Sequence, residues 1–386
     1  MKTFRIMCAA LVAAMTLASC QKEQAGKDNG SQQPKSITIS LSNVKLPSKS
    51  SSTTVLNTGS TAIINNFQVF LTDGANFYDG LNVDGTPAAH FITVDTDNPS
   101  ASLTQTFHFV DPNVTQVMIV ANIGSEQTFA NVTALKAYSV EIADQQDDKI
   151  DNLILFGEDT SLDNTGNHAT QHPATEIWTA DVEIAPLIAR IEVVNFSTKF
   201  AQNSAYKSVT VNKLAFNDYY RSTNLGGVNS SRMNEDITAS NVYSYLAGLT
   251  GSHWYYDNLD MYHLTDGIQP VTMTKLSATE HVVKVDDMDH HYAYHFFPSL
   301  TATEGIAEGY PQLVVGATAV DNQDRVTEQY LATNSFTGSG FSGFKPGEIY
   351  RVEFAFADSS LDHQLKCIDV QVSVKPWSVI TLTPNL

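Results

Sequence analysis

The sequence predicts an all-β protein of two β-sandwich domains, with one short helix in the first. Three observations carry this expectation. Of 386 residues, 16% are charged and 42% hydrophobic, and Thr, Ser, Val, Asn and aromatics are plentiful, a composition suited to strands and turns. Apolar and polar residues alternate near both ends of the chain, at Ile37, Ile39 and Leu41 and again at Ile368, Val370, Val372 and Val374. That is the two-residue period of a strand. Between the ends, short apolar runs recur with Gly, Pro, Asn and Asp between them, and the length suits two domains.

Residues 1–19 read as a lipoprotein signal peptide. Lys2 and Arg5 precede an apolar run from Ile6 to Leu17, and about 12 residues is too short to span a bilayer. Leu17-Ala18-Ser19-Cys20 matches the cleavage box of a bacterial lipoprotein, so Cys20 is the expected lipidation site and lipid the expected link to the outer membrane. The signal removes two cations and no acid, taking the net charge from −19 to about −21. Such acidity excludes nucleic acid as a partner, because a polyanion is repelled. Cys8 leaves with the signal and Cys20 is acylated, so Cys367 stands alone and no intramolecular disulfide can form. Residues 20–35 are polar and Gly-containing, a flexible tether.

The expected first domain covers residues 36–185. Ser36–Leu46 is its first strand, with Ile37, Ile39 and Leu41 in a core and Ser36, Thr38 and Ser40 in water. A protease-accessible run, Ser48–Ser52, follows, with Lys45 and Lys49 beside and within it. Further strands are expected at Phe67–Leu71, at Ser102–Phe109 with Leu103, Phe107 and Phe109 on one side, and at Leu153–Phe156 and Glu176–Ile184. Gln116–Ala121 is nearly all apolar, the mark of a strand covered on both faces. Asn131–Lys136 is the one place with helical spacing.

Pro186 opens the expected second domain, residues 186–386, with strands at Leu187–Phe196, Ser208–Phe216, Val282–Val285, Tyr292–Phe297, Gln312–Ala319, Arg325–Leu331, Ile349–Phe356 and Lys366–Val374. Tyr219–Gln269 is too long and aromatic for a plain connection; it either packs over the sandwich end or offers Trp254, Tyr255 and Tyr256 as a platform for surface glycans. Pro376-Trp377 interrupts the last core strand. Beyond it Ser378–Leu386 carries Val379, Ile380 and Leu382, a tail that calls for a partner edge.

Residues suited to chemistry do not assemble into a site. Asp286-Asp287-Met288-Asp289-His290-His291 is dense in metal-ligating types, but His291 and His295 on one strand lie about 13 Å apart, too far to share zinc at about 2 Å. Gly338-Ser339-Gly340-Phe341-Ser342-Gly343 lacks the Lys of a phosphate loop and the spacing of a hydrolase elbow. Asp95-Thr96-Asp97-Asn98 lacks the glycine and closing glutamate of a calcium loop. No metal, no cofactor and no enzymatic activity are expected. Arg190 reads as structural, paired with a carboxylate that the sequence does not identify.

From Cys20 to Leu386 the chain resembles the fimbrillin family, the major subunits of Bacteroidales type V pili. The resemblance lies in the order of the lipobox, the strand Ser36–Leu41, the run Val117–Gly124, Ile188-Ala189-Arg190-Ile191, Gly347-Glu348-Ile349-Tyr350-Arg351-Val352 and the ending Val370–Trp377. It implies two transthyretin-like sandwiches, export as a lipoprotein, proteolytic removal of the first strand and polymerisation when a neighbour's C-terminal strand fills the vacancy. Carried over, Ser36–Leu46 is the strand removed and Ser378–Leu386 the donor, with other copies or related fimbrial subunits as partners. The family's cleavage follows an arginine, and none lies between Arg5 and Arg190, which leaves Lys49 or Lys45. Two alternatives stay open: a lipid-retaining anchor or tip subunit, and a surface carbohydrate-binding lipoprotein.

Overall fold

The computed structural model describes residues 35–42, 63–94, 104–145, 152–164, 176–233, 271–275, 281–284, 292–299, 311–337, 341–361 and 366–376. Cys20, Lys45, Lys49, Leu103, Trp254, Tyr255, Tyr256, the Asp286–His291 cluster, Gly338–Gly340 and Ser378–Leu386 lie outside the described residues.

The described chain is nearly all strand. The N-terminal half contains β1 (Lys35–Ser42), β2 (Asn66–Thr72), β3 (Phe77–Tyr78), β4 (Phe91–Thr93), β5 (Thr104–Val110), β6 (Gln116–Ala121), helix α1 (Val132–Lys136), β7 (Ser139–Glu141), β8 (Leu155–Asp159), β9 (Glu176–Glu183) and β10 (Ala185–Pro186). The C-terminal half contains β11 (Ala189–Thr198), β12 (Tyr206–Asn217), β13 (Tyr219–Asn224), β14 (Ser230–Met233), β15 (Val271–Thr274), β16 (His281–Lys284) and β17 (Tyr292–Phe296). After these come β18 (Gln312–Asp321), β19 (Val326–Thr337), β20 (Glu348–Phe356), helix α2 (Asp358–Leu361) and β21 (Lys366–Pro376).

Two sheets form the N-terminal half. One has the order β5-β1-β9; the other runs β10-β8-β6-β2-β3, with β4 also on β2. Strand β9 packs against β6 and β8, bringing the two sheets face to face. As the apolar run implied, Val117, Met118, Ile119, Val120 and Ala121 are all buried at the centre of the second sheet. Helix α1 is stopped at its start by Asn131, whose side chain accepts from the Ala134 N–H at 2.9 Å.

In the C-terminal half a single nine-stranded sheet runs β15-β12-β18-β19-β21-β20-β11-β16, with β17 also on β11. Its edge strands β15 and β16 approach each other, so the sheet rolls around a core rich in aromatic side chains. Phe296, Phe336, Phe341 and Tyr350 surround Phe344 with ring centroids 4.6–5.2 Å apart.

A fourth sheet, β14-β13-β7, joins the halves. Ser222, Thr223 and Asn224 of β13 pair with Glu141, Val140 and Ser139 of β7. The start of the aromatic Tyr219–Gln269 stretch is thus a strand, with Tyr219 buried. Its polar Arg221–Asn224 end gives no strand signal alone, because it gains its ladder from the other half.

Two other expectations change. Phe109 does not share a face with buried Phe107 but is 52% exposed, at a φ of 52°. Here Lys35 is opposite Val110 and Ile37 opposite Phe107, so β5 carries an extra residue and the bulge turns Phe109 outward. The hydroxyl face of β1 is not all in water either. Ser36 is buried and Thr38 half-buried, because His108 and Thr106 cover them.

Gly157 of β8 packs closely against the end of β9 at Glu183 and against Ile184. A Cβ there would run into the carbonyl oxygen of Glu183 and lie 2.9 Å from Ile184 Cγ2. Replacing Gly157 by Ala should cost about 1–3 kcal/mol, read as a lower urea midpoint with an unchanged denaturant slope.

Candidate functional site: the first strand and its two neighbours

Strand β1 is the middle of its sheet. On one side it runs antiparallel to β5, pairing Ile37 with Phe107, Thr38 with Thr106, Ile39 with Gln105 and Ser40 with Thr104. On the other it runs parallel to β9, in unbroken register from Lys35–Glu176 to Ser42–Glu183. Within that sheet β5 and β9 meet only through β1. Taking β1 out would expose two rows of unpaired backbone groups at once.

The side chains fix it in depth. Ile37 and Ile39 are 0% and 1% exposed, and Leu41 is half-buried against the same core. Burial of each aliphatic side chain contributes about 1.5–3 kcal/mol gross. On the opposite face the Ser36 hydroxyl lies 3.0 Å from His108 Nδ1, and the hydroxyls of Thr38 and Thr106 are 3.1 Å apart. Lys35 closes the outer end. It is 6% exposed, its ammonium donates to the Val114 carbonyl and sits 5.0 Å from the centroid of the Trp178 ring. A lysine held this way is shielded from a protease, whatever happens at Lys45 and Lys49.

The C-terminal half repeats the arrangement. Its first strand, β11, is antiparallel to β16 and β17 and parallel to β20. The difference is covalent context. Strand β10 precedes β11 and is paired to β8 at Ala185–Phe156 and Pro186–Leu155, while a long polar segment stands on each side of β1 in the sequence.

Arg190 of β11 is paired as its burial demands: its Nε lies 2.8 Å from Glu192 Oε1, both side chains being fully buried. The partner is two residues away, on the same face of the strand, a spacing the sequence did show. His295 is buried and hydrogen-bonded to Arg190 and to a backbone carbonyl. The other proposed site residues, Cys20, Lys45, Lys49, Trp254, Tyr255, Tyr256, Val379, Ile380 and Leu382, fall outside the described residues.

No family model matches the chain, and no curated protein matches it by sequence. Solved structures do match. A candidate cell adhesion protein from Parabacteroides distasonis aligns at a TM-score of 0.51 and 11% identity, over 91% of this chain and 99% of that one. The likeness is one of fold. The matching structures include a fimbrilin (FimA) from Porphyromonas gingivalis, at TM-score 0.49 and 11% identity over 91% and 99% of the two chains. They also include the tip fimbrial protein Mfa3 of the same species, at 0.38 and 10% over 89% and 99%.

Because Ile39 is enclosed and Leu41 partly open, Ile39→Ala should cost about 2–5 kcal/mol and Leu41→Ala clearly less, in matched chemical denaturation of the two variants.

Proposed function

We propose that this chain is a structural subunit of a surface pilus, exported as a lipoprotein through Cys20. In this reading a protease cuts at Lys49 or Lys45 and frees β1, and the C-terminal tail of another copy or of a related subunit takes its place. The role is mechanical, not catalytic, and supports adhesion at the cell surface.

The observation that carries the reading is the position of β1 as the sole link between β5 and β9 in their sheet. Long polar segments flank this strand in the sequence, and its loss would leave a strand-shaped vacancy between β5 and β9. The tail supplies a matching shape. Ile380-Thr381-Leu382 repeats the order of Ile37-Thr38-Ile39, two aliphatics around a threonine. Set in that register, Thr381 meets the Thr106 hydroxyl and its neighbours fill the two aliphatic sites. A slip of one residue would turn Thr381 into the core. A slip of two would bring either Ser378 or Pro384 to an aliphatic site. The fold shared with the Parabacteroides distasonis cell adhesion candidate is consistent with this role.

A second reading, a lipid-retaining anchor or tip subunit, is favoured by the clamp on Lys35 and by the absence of arginine between Arg5 and Arg190. The two readings differ in what mature protein carries. A stalk subunit from cells should begin after Lys45 or Lys49, and an anchor should keep its acyl group and residues 35–42. Deleting 378–386 should leave a folded protein that no longer forms denaturant-resistant ladders, and Thr381→Asp should do the same. Normal ladders from the deletion would reject the donor assignment.

A further inference from the structure

We propose that His295 is a pH-sensitive latch between the two halves of the molecule, closed when the ring is neutral and weakened when it is protonated. The assignment of the proton follows from the partners. Arg190 Nη1 lies 2.8 Å from His295 Nε2, and a guanidinium nitrogen can only donate. Nε2 is therefore the acceptor, and the ring proton sits on Nδ1. Nδ1 is 2.6 Å from the backbone oxygen of Gln145 and donates to it. The imidazole is thus neutral and bridges a cation of the C-terminal sheet to the main chain of the N-terminal half.

The surroundings make a second charge costly. His295 and Arg190 are each 1% exposed, and Gln145 is also 1% exposed. From β11 the ring faces Arg190 and, behind it, Glu192, which is fully buried. From β20 comes Arg351, whose Nε is 3.4 Å from Glu192 Oε2. Among the described residues, the carboxylate beside Arg190 is Glu192, and it is shared with Arg351. From the N-terminal half the facing segment is Ile142–Gln145, whose acid, Asp144, is exposed to water. A proton on Nε2 would break the Arg190 bond and set an imidazolium against a guanidinium in a dry site.

Opening frees the ring to bind a proton as an ordinary histidine does, near pH 6.5, whereas the closed form resists it. Contact between Gln145 and β17 is fully present above about pH 6.5 and weakens as pH falls, by at most about tenfold per pH unit, the limit for one proton. The loosened segment is continuous with β7, so acid should act on the β7–β13 ladder that joins the halves.

Hydrogen exchange of the full chain, corrected for intrinsic rates, tests this between pH 7.5 and 5. Peptides covering 139–145 and 219–224 should lose protection by a factor approaching tenfold per pH unit below about pH 6.5, and the sheet core at 117–121 should not. His295→Gln keeps a donor and an acceptor without a titrating ring, and should flatten the profile. Should that variant fail to fold, nitrogen-labelled histidine NMR of the wild-type chain gives the same information. It should show the Nδ1–H tautomer at pH 7.5 and its loss in step with the exchange. Protection that stays constant with pH, a glutamine variant with the wild-type profile, or a ring that stays neutral while the peptides open would each overturn the latch.

Discussion

The structure depends on one strand being paired on both sides. Strand β1 receives β5 antiparallel and β9 parallel, and these two have no other link within their sheet. Its aliphatic face closes one core while its hydroxyl face is covered by His108 and Thr106. Bonds of all three kinds must be given up together when it leaves. A vacancy of that shape is costly in water, because it exposes apolar surface and two rows of unsatisfied backbone groups. A strand of the same apolar and hydroxyl pattern set in that place would make the same kinds of contact.

Much of this was legible from residue order. Alternation located β1 because it is a strand's own period, and the uninterrupted apolar run at 117–121 located a central strand because both of its faces are covered. What stayed hidden depends on partners from distant sequence. Phe109 alternates correctly with Phe107 yet points outward, because a bulge opposite Ser36 inserts a residue with positive φ. The polar end of β13 gives no sign of a strand, because its ladder comes from β7 in the other half. The burial of Ser36 and the clamp on Lys35 likewise follow from His108, Val114 and Trp178, each more than seventy residues away.

The two halves treat their first strands differently, and the difference has a physical meaning. Strand β11 occupies the place in its sheet that β1 occupies in the other, but its polar face carries Arg190 and Glu192, both fully buried. Such a charged pair is stable only with its partners in place and is unsuited to exchange. Strand β1 carries one cation, at its outer end, and small hydroxyls otherwise. Two strands in equivalent places of their sheets thus differ in the charge they bury. Arg190 of β11 also reaches the N-terminal half through His295, which is hydrogen-bonded to the Gln145 carbonyl.

The most direct measurement of the central claim is peptide binding to a chain whose β1 has been released by an engineered cut within residues 43–62 and removed. The account predicts that a peptide of residues 377–386 binds this chain, restores exchange protection to β5 and β9, and fails to do so when Thr381 is replaced by Asp. A chain that keeps β5 and β9 protected with the site empty, and takes up neither the tail peptide nor one of residues 35–42, would contradict it.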